Sequence, residues 1–155
     1  MSKPHDVTKA FESDLCEYTG SRYAVTTSSC TMALLLACAW ARHRLQRAPL
    51  FSLPKLTYIG VAMSVAHARC GLLFHDEDWQ GEYELKQLPS SDFTIWDSAR
   101  RFTKNMCRPY GQLAGSRTGI YFQCVSFHSS KILGISQGGA ILHNSKEADT
   151  WLRRA

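Results

Sequence analysis

The chain has 155 residues, 45% of them apolar, and a formal net charge of +5. That length supports one buried core and strains to hold two, and no apolar run reaches the roughly 20 residues that span a bilayer. The basic residues are dispersed rather than drawn into a stripe, which argues against a nucleic-acid surface and leaves room for a site that takes a phosphate anion.

The N-terminal stretch has neither an apolar centre nor a cleavage site, so no signal peptide is expected. Cysteines 16, 30, 38, 70, 107 and 124 are scattered without a C-x-x-C pair. Neither a disulfide framework nor a metal site is expected from that spacing, and a reduced, cytoplasmic protein is.

In chain order, Asp6 to Ser21 reads as a helix: Val7, Phe11, Leu15 and Tyr18 recur on one face, and Gly20 suits a left-handed stop. Arg22 to Thr27 is a short strand. Ser28 or Ser29 then caps a second helix, Thr31 to about Arg47, which contains the greasiest segment of the chain, Met32 to Ala41. Leu50 to Leu53 is a strand closed by Pro54, Tyr58 to Arg69 a helix, and Leu72 to Asp76 a strand. The charged segment Glu77 to Asp92 reads as loop with at most one helical turn. Phe93 to Asp97 is a strand with an acidic last residue, and Arg101 to Thr118 reads as an ordered surface loop. Gly119 to Phe127 and Gly138 to Asn144 are strands, and Ser145 caps a closing helix. Strands alternating with helices predict an α/β fold with a largely parallel sheet. In such sheets ligands bind beyond the carboxyl ends of the strands. That puts the turn at residues 27–31, Asp97 and the turn at residues 126–131 on one rim.

Each rim feature has a plain and a chemical reading. The N–H groups opening the second helix, with the hydroxyls of Ser29 and Thr31, suit a phosphate, but Ser29 also suits simple capping. Asp97, at the end of a buried strand, needs a cation or several hydrogen bonds; it is a helix cap or the counter-ion of a protonated ring nitrogen. Lys131 is a surface lysine or an imine-forming amine. His128 reads as a packing residue as readily as a site residue, and Gly138 and Gly139 as a tight turn. Taken together, a phosphate cradle, a carboxylate and a lysine, with Tyr58 available to stack, make the set that pyridoxal 5'-phosphate requires.

Four segments carry a resemblance: "FESDLCEYTGSRYAVTTSSCTMALLLA", "LPKLTYIGVAMSVAHARCGLLFHDED", "IWDSA" and "CVSFHSSKILGISQGGAIL". Together the chain resembles the DegT/DnrJ family of sugar aminotransferases, fold-type I pyridoxal-phosphate enzymes. The resemblance implies a three-layer αβα fold: a single, shortened version of the family's large domain over residues 1–155, without its C-terminal small domain. It implies that Lys131 forms the Schiff base and shuttles the proton, that Asp97 keeps the pyridine nitrogen protonated, and that Tyr58 stacks on the ring. It also implies that Ser126, Cys30 and Thr31 hold the phosphate. Arg100 stands where the family has a Gln or His on the cofactor's phenolic oxygen, Cys30 stands where it has Gly, and Gln137 replaces an acidic residue. Where residues 79–96 lie, the family has a helix and a further strand. The implied activity is transamination from an amino acid donor to a keto-sugar nucleotide in a homodimer. The alternative is a protein that holds the cofactor, or another phosphate ligand, without ordinary turnover.

Overall fold

The computed structural model describes residues 4–107 and 119–155. The first helix, α1 (Pro4–Thr19), stops at Gly20, whose φ of 75° is the left-handed turn the sequence predicts and whose N–H donates to the Cys16 carbonyl at 2.9 Å. Strand β1 (Tyr23–Thr27) leads into α2 (Cys30–Leu45), capped by the Ser29 hydroxyl, which accepts from the Met32 N–H at 3.1 Å. The next elements are β2 (Leu50–Pro54), α3 (Ile59–His67) and β3 (Gly71–His75). Two short strands, β4 (Tyr83–Glu84) and β5 (Lys86–Leu88), precede β6 (Phe93–Asp97), β7 (Ile120–Ser126) and β8 (Gly139–His143). Ser145 caps the closing helix α4 (Lys146–Leu152), its hydroxyl accepting from the Ala148 N–H at 3.2 Å.

The strands form a five-stranded sheet in the order β1-β8-β7-β6-β4 and a three-stranded sheet in the order β3-β2-β5. The α/β class stands, but the expected parallel pairing does not. The β6–β7 and β2–β3 pairs are parallel, whereas β1–β8, β7–β8, β4–β6 and β2–β5 are antiparallel. The reason lies in the connections. A parallel neighbour needs a crossover, usually a helix; the chain returns from β7 to β8 through residues 127–138 without one, and β4 and β5 fold back on nearby strands. Residues 77–92, read as loop, therefore contribute strands, and their burial alternates: Tyr83, Leu85 and Gln87 are buried while Lys86 is exposed.

Side chains on the two faces of the main sheet enter two cores. On one face Val25, Phe122, Cys124 and Ile141 pack with Ala33, Leu34, Ala37 and Trp40 of α2, and with residues of α3 and α4. Because α2 is covered by the sheet on one side and by α3 and α4 on others, it is apolar nearly all round. Trp40 is fully buried, its ring centroid 4.7 Å from that of Phe122 and 5.4 Å from that of Phe93. On the other face Ala24, Tyr121, Val125, Ala140 and Leu142 pack with Leu15 of α1 and with Phe102, Met106 and Cys107. This is the three-layer arrangement. It corrects the surface-loop expectation for residues 101–107, of which Phe102, Met106 and Cys107 enter the second core beside α1; the remainder of that segment, 108–118, lies outside the described residues.

Candidate active site

The mixed sheet still gathers its functional ends on one rim. β8 runs antiparallel to both β1 and β7, so those two point the same way, and β6 is parallel to β7. The register aligns Thr27 with Gly139 and Gly139 with Ser126, and Asp97 with Cys124. The carboxyl ends of β1, β6 and β7 therefore meet where β8 begins. Gly139 is pressed against the start of α2. A Cβ on it would lie 2.5 Å from the Cys30 nitrogen and 2.6 Å from the Ser29 carbonyl carbon, both immovable backbone. That close approach requires glycine there and holds the helix start against the sheet edge.

Above this rim lies a cleft of about 340 Å³. Its lining includes Ser29, Cys30 and Thr31 from the first turn of α2, Asp97 from β6, Ser126 from β7, and Lys131 from the turn beyond. Tyr58, from the entry to α3, forms part of its wall, and His128, Gln137 and Gly138 complete the β7–β8 side. Of the expected site residues, Arg100 alone is absent from this lining. It is exposed and opens on an adjoining lobe of about 340 Å³ that shares Tyr58, Asp97, Ala99 and Lys131 with the cleft and adds Thr57 and Trp79.

The local geometry separates plain from chemical roles. Ser29 does cap α2. Tyr58 is 69% exposed, and its ring lies over Gly60, where a Cβ would collide with it. The Ser126 hydroxyl accepts from the His128 N–H at 3.3 Å, tightening the turn that carries Lys131. Nδ1 of His128 accepts from the Ser130 N–H at 3.2 Å, which places the neutral ring's proton on Nε2. Lys131 is half-buried, and its ammonium has no hydrogen bond or ion pair within the described residues.

Asp97 is 7% exposed and makes no ion pair among the described residues. Its Oδ1 accepts from the Ala99 N–H at 3.0 Å and faces the Cys30 sulfur at 3.9 Å; its Oδ2 accepts from the Tyr83 hydroxyl at 2.9 Å. Burial pushes its carboxyl above the ordinary range, against the pull of those bonds and of the Lys131 charge. The Cys30 side chain is turned to the sheet, its sulfur 3.4 Å from the Cys124 carbonyl. Burial, and then the charge of Asp97, push its thiol well up, so it stays protonated.

Tyr83 is the site residue that sequence reasoning missed. It sits in β4 directly opposite Asp97 in register, in a segment read as loop. The alternation of Tyr83, Leu85 and Gln87 with Glu84 and Lys86 was the available signal for a strand.

A profile of the DegT/DnrJ/EryC1/StrS aminotransferase family matches residues 2–81. No curated protein matches the chain. Among solved structures, it is similar to DesI, determined in the presence of its TDP-sugar product, with 18% identity and a TM-score of 0.63 over 98% of this chain and 45% of that one. Helicobacter pylori PseC, an aminotransferase involved in the biosynthesis of pseudoaminic acid, gives 15% identity and a TM-score of 0.61 over 94% of this chain and 46% of that one. E. coli GDP-4-keto-6-deoxy-D-mannose-3-dehydratase with bound hydrated PLP gives 17% identity and a TM-score of 0.59 over 99% of this chain and 46% of that one. The likeness to these structures is one of fold, and the chain spans less than half the length of each. With the profile covering just over half of its residues and the same fold running through the rest, the chain belongs to the DegT/DnrJ/EryC1/StrS aminotransferase family.

Proposed function

We propose that this chain is the cofactor-binding large domain of a pyridoxal 5'-phosphate-dependent enzyme that transfers an amino group from an amino acid to a keto-sugar nucleotide. The observation that carries the reading is the one cleft into which Lys131 and Ser126, Asp97 and the first turn of α2 converge from three separate segments. The residues fit the group. A buried carboxylate without an ion-pair partner among the described residues matches a protonated ring nitrogen, and the glycine-tight contact of β8 with α2 leaves the helix start facing the cleft for a phosphate. Ser126, Ser29, Cys30 and Thr31 would hold that phosphate, Asp97 the ring nitrogen and Tyr58 the ring face. When bound, the cofactor supplies an electron sink for charge developing at the substrate carbon.

Lys131 would provide the amine that holds the cofactor at its carbonyl carbon, and its Nζ would hold and return the proton that moves in transamination. Arg100 brings a cation beside Lys131 from the adjoining lobe, where a carboxylate or phosphate of the substrate or the phenolic oxygen of the cofactor is within its chemistry. The family match, together with the TDP-sugar product of DesI and the part of PseC in pseudoaminic acid biosynthesis, supports a sugar-nucleotide acceptor. Leu56, Ile59, Ile132 and Ile135, all at least 60% exposed near the cleft, support a homodimer that covers its mouth.

One observation favours a second reading, cofactor or phosphate-ligand binding without ordinary turnover. The wall at Tyr58 is open to water, and transamination needs a shielded site. A spectrum separates these possibilities. Added pyridoxal phosphate is expected to give a visible band that Lys131→Ala lacks; identical spectra would defeat the cofactor reading. With the band formed, L-glutamate converts it to the amine form of the cofactor if the first half-reaction is live, whereas an inert band supports binding without turnover.

A further inference from the structure

Asp97 is held by two neutral donors, the Ala99 N–H and the Tyr83 hydroxyl, and the Cys30 sulfur, closer to the Cys124 carbonyl, packs against its Oδ1. Oδ1 takes the Ala99 N–H and faces the Cys30 thiol, while Oδ2 takes the Tyr83 hydroxyl alone. A carboxylate only accepts, so Tyr83 must spend its one proton on Asp97. The close contact between the Tyr83 and Thr57 hydroxyls is then closed by the threonine's proton, giving a chain from Thr57 to Tyr83 to Asp97. A carboxylate offers about four acceptor positions. The Ala99 N–H and the bulk of the Cys30 sulfur cover Oδ1, whereas the Tyr83 hydroxyl alone reaches Oδ2, which leaves an open position on Oδ2. Among the described residues, the titratable groups facing Asp97 are Cys30 from α2, Tyr83 from β4, Cys124 from β7 and Lys131 from the turn beyond β7. Lys131 is the one cation among them.

We propose that Tyr83, backed by Thr57, is a positioning residue that fixes the Asp97 carboxylate with its open Oδ2 position turned to the cleft, where it receives the protonated ring nitrogen. The proposal rests on the cofactor reading above for the identity of that donor. It does not need that reading for the orientation of Asp97. The antiparallel pairing of β4 with β6 places Tyr83 opposite Asp97, so the short β4–β5 excursion supplies a site residue as well as a connection.

The test uses the whole protein and begins without cofactor. Carboxyl-carbon NMR follows the titration of Asp97, assigned by its loss in Asp97→Asn. Removing a bond to the charged form in Tyr83→Phe is expected to move the Asp97 midpoint up by about one pH unit. Thr57→Val is expected to move it in the same direction by less. With cofactor labelled at the ring nitrogen, the nitrogen shift of the Tyr83→Phe complex is expected to move toward the unprotonated value, and affinity to fall about tenfold. A purely structural role for Tyr83 would change thermal stability without moving either signal. An unchanged midpoint in both variants overturns the proposal; if Tyr83→Phe does not fold, Thr57→Val decides it by the same criterion. Failure of the wild type to bind pyridoxal phosphate removes the ring-nitrogen partner and defeats the cofactor reading, while the carboxyl titration still decides whether Tyr83 orients Asp97.

Discussion

His143 gives a quantitative test of the packing. It lies in β8 with no solvent exposure, opposite Tyr23 in β1 and Phe122 in β7, and its ring stacks on both, with centroids 5.4 and 5.7 Å away. Neither ring nitrogen has a hydrogen-bond partner among the described residues; the nearest carboxylate oxygen, Asp149 Oδ1, is 3.7 Å away, within Coulomb range but too far for a good hydrogen bond. Burial outweighs that attraction and a weaker pull from the Ser145 backbone, and lowers the imidazole to about 4 from 6.5. Between those two values the unfolded chain takes up a proton that the folded chain refuses. Stability from this residue is therefore full above about pH 6.5 and is lost as the pH falls toward 4. Integrated from pH 7 to pH 5, the loss is about 2 kcal/mol. Asp97 and Glu84, whose carboxyls are raised by burial, act in the opposite sense, so the comparison must be a difference. His143→Phe keeps the aromatic stack and removes the titration. Urea unfolding of both proteins at pH 7 and pH 5 is expected to show the wild type losing about 2 kcal/mol relative to the variant. Parallel losses in the two proteins, or a wild type that gains on the variant in acid, would refute the claim that His143 is buried neutral.

Three further substitutions probe the site and its support. Gly139→Ala drives a methyl into the backbone at the start of α2 and is expected to cost about 1–3 kcal/mol in urea unfolding and to weaken pyridoxal phosphate binding; a variant with wild-type stability would show that the contact yields freely. Trp40→Ala empties the space between Phe93 and Phe122 and is expected to cost about 3–5 kcal/mol; a loss below about 1 kcal/mol would mean that α2 repacks. Asp97→Asn is expected to retain the Lys131-dependent visible band while slowing its conversion by glutamate about 100-fold or more. An unaltered conversion rate would remove Asp97 from the chemistry.

The contrast between Lys131 and Tyr83 shows why some of the site was readable and some was not. Lys131, Asp97 and Ser126 stand at or just past strand ends, and strand ends on one rim follow from the order of elements, so they could be named as a set. Tyr83 reaches Asp97 only because a two-residue strand pairs antiparallel with β6, and the alternation over residues 83–87 signals a strand without naming the strand it lies along. Arg100, which the resemblance set at the cofactor's phenolic oxygen, lines the adjoining lobe, a placement that no local pattern around residue 100 announces. Likewise Phe102, Met106 and Cys107 lack a regular period, and their burial depends on α1 covering the same face of the sheet.

By itself the sequence determined the helices, the longer strands, the helix caps and the list of reactive side chains. Caps and amphipathic periods are interactions between residues a few positions apart, as Ser29 with Met32 or Gly20 with Cys16 shows. Only the tertiary structure decided strand direction, the second core around Phe102 and the hydroxyl on Asp97. Each of those depends on which distant segments share a surface: β8 slots between β1 and β7, and β4 lies along β6, because doing so buries apolar side chains and satisfies backbone groups across the whole sheet at once.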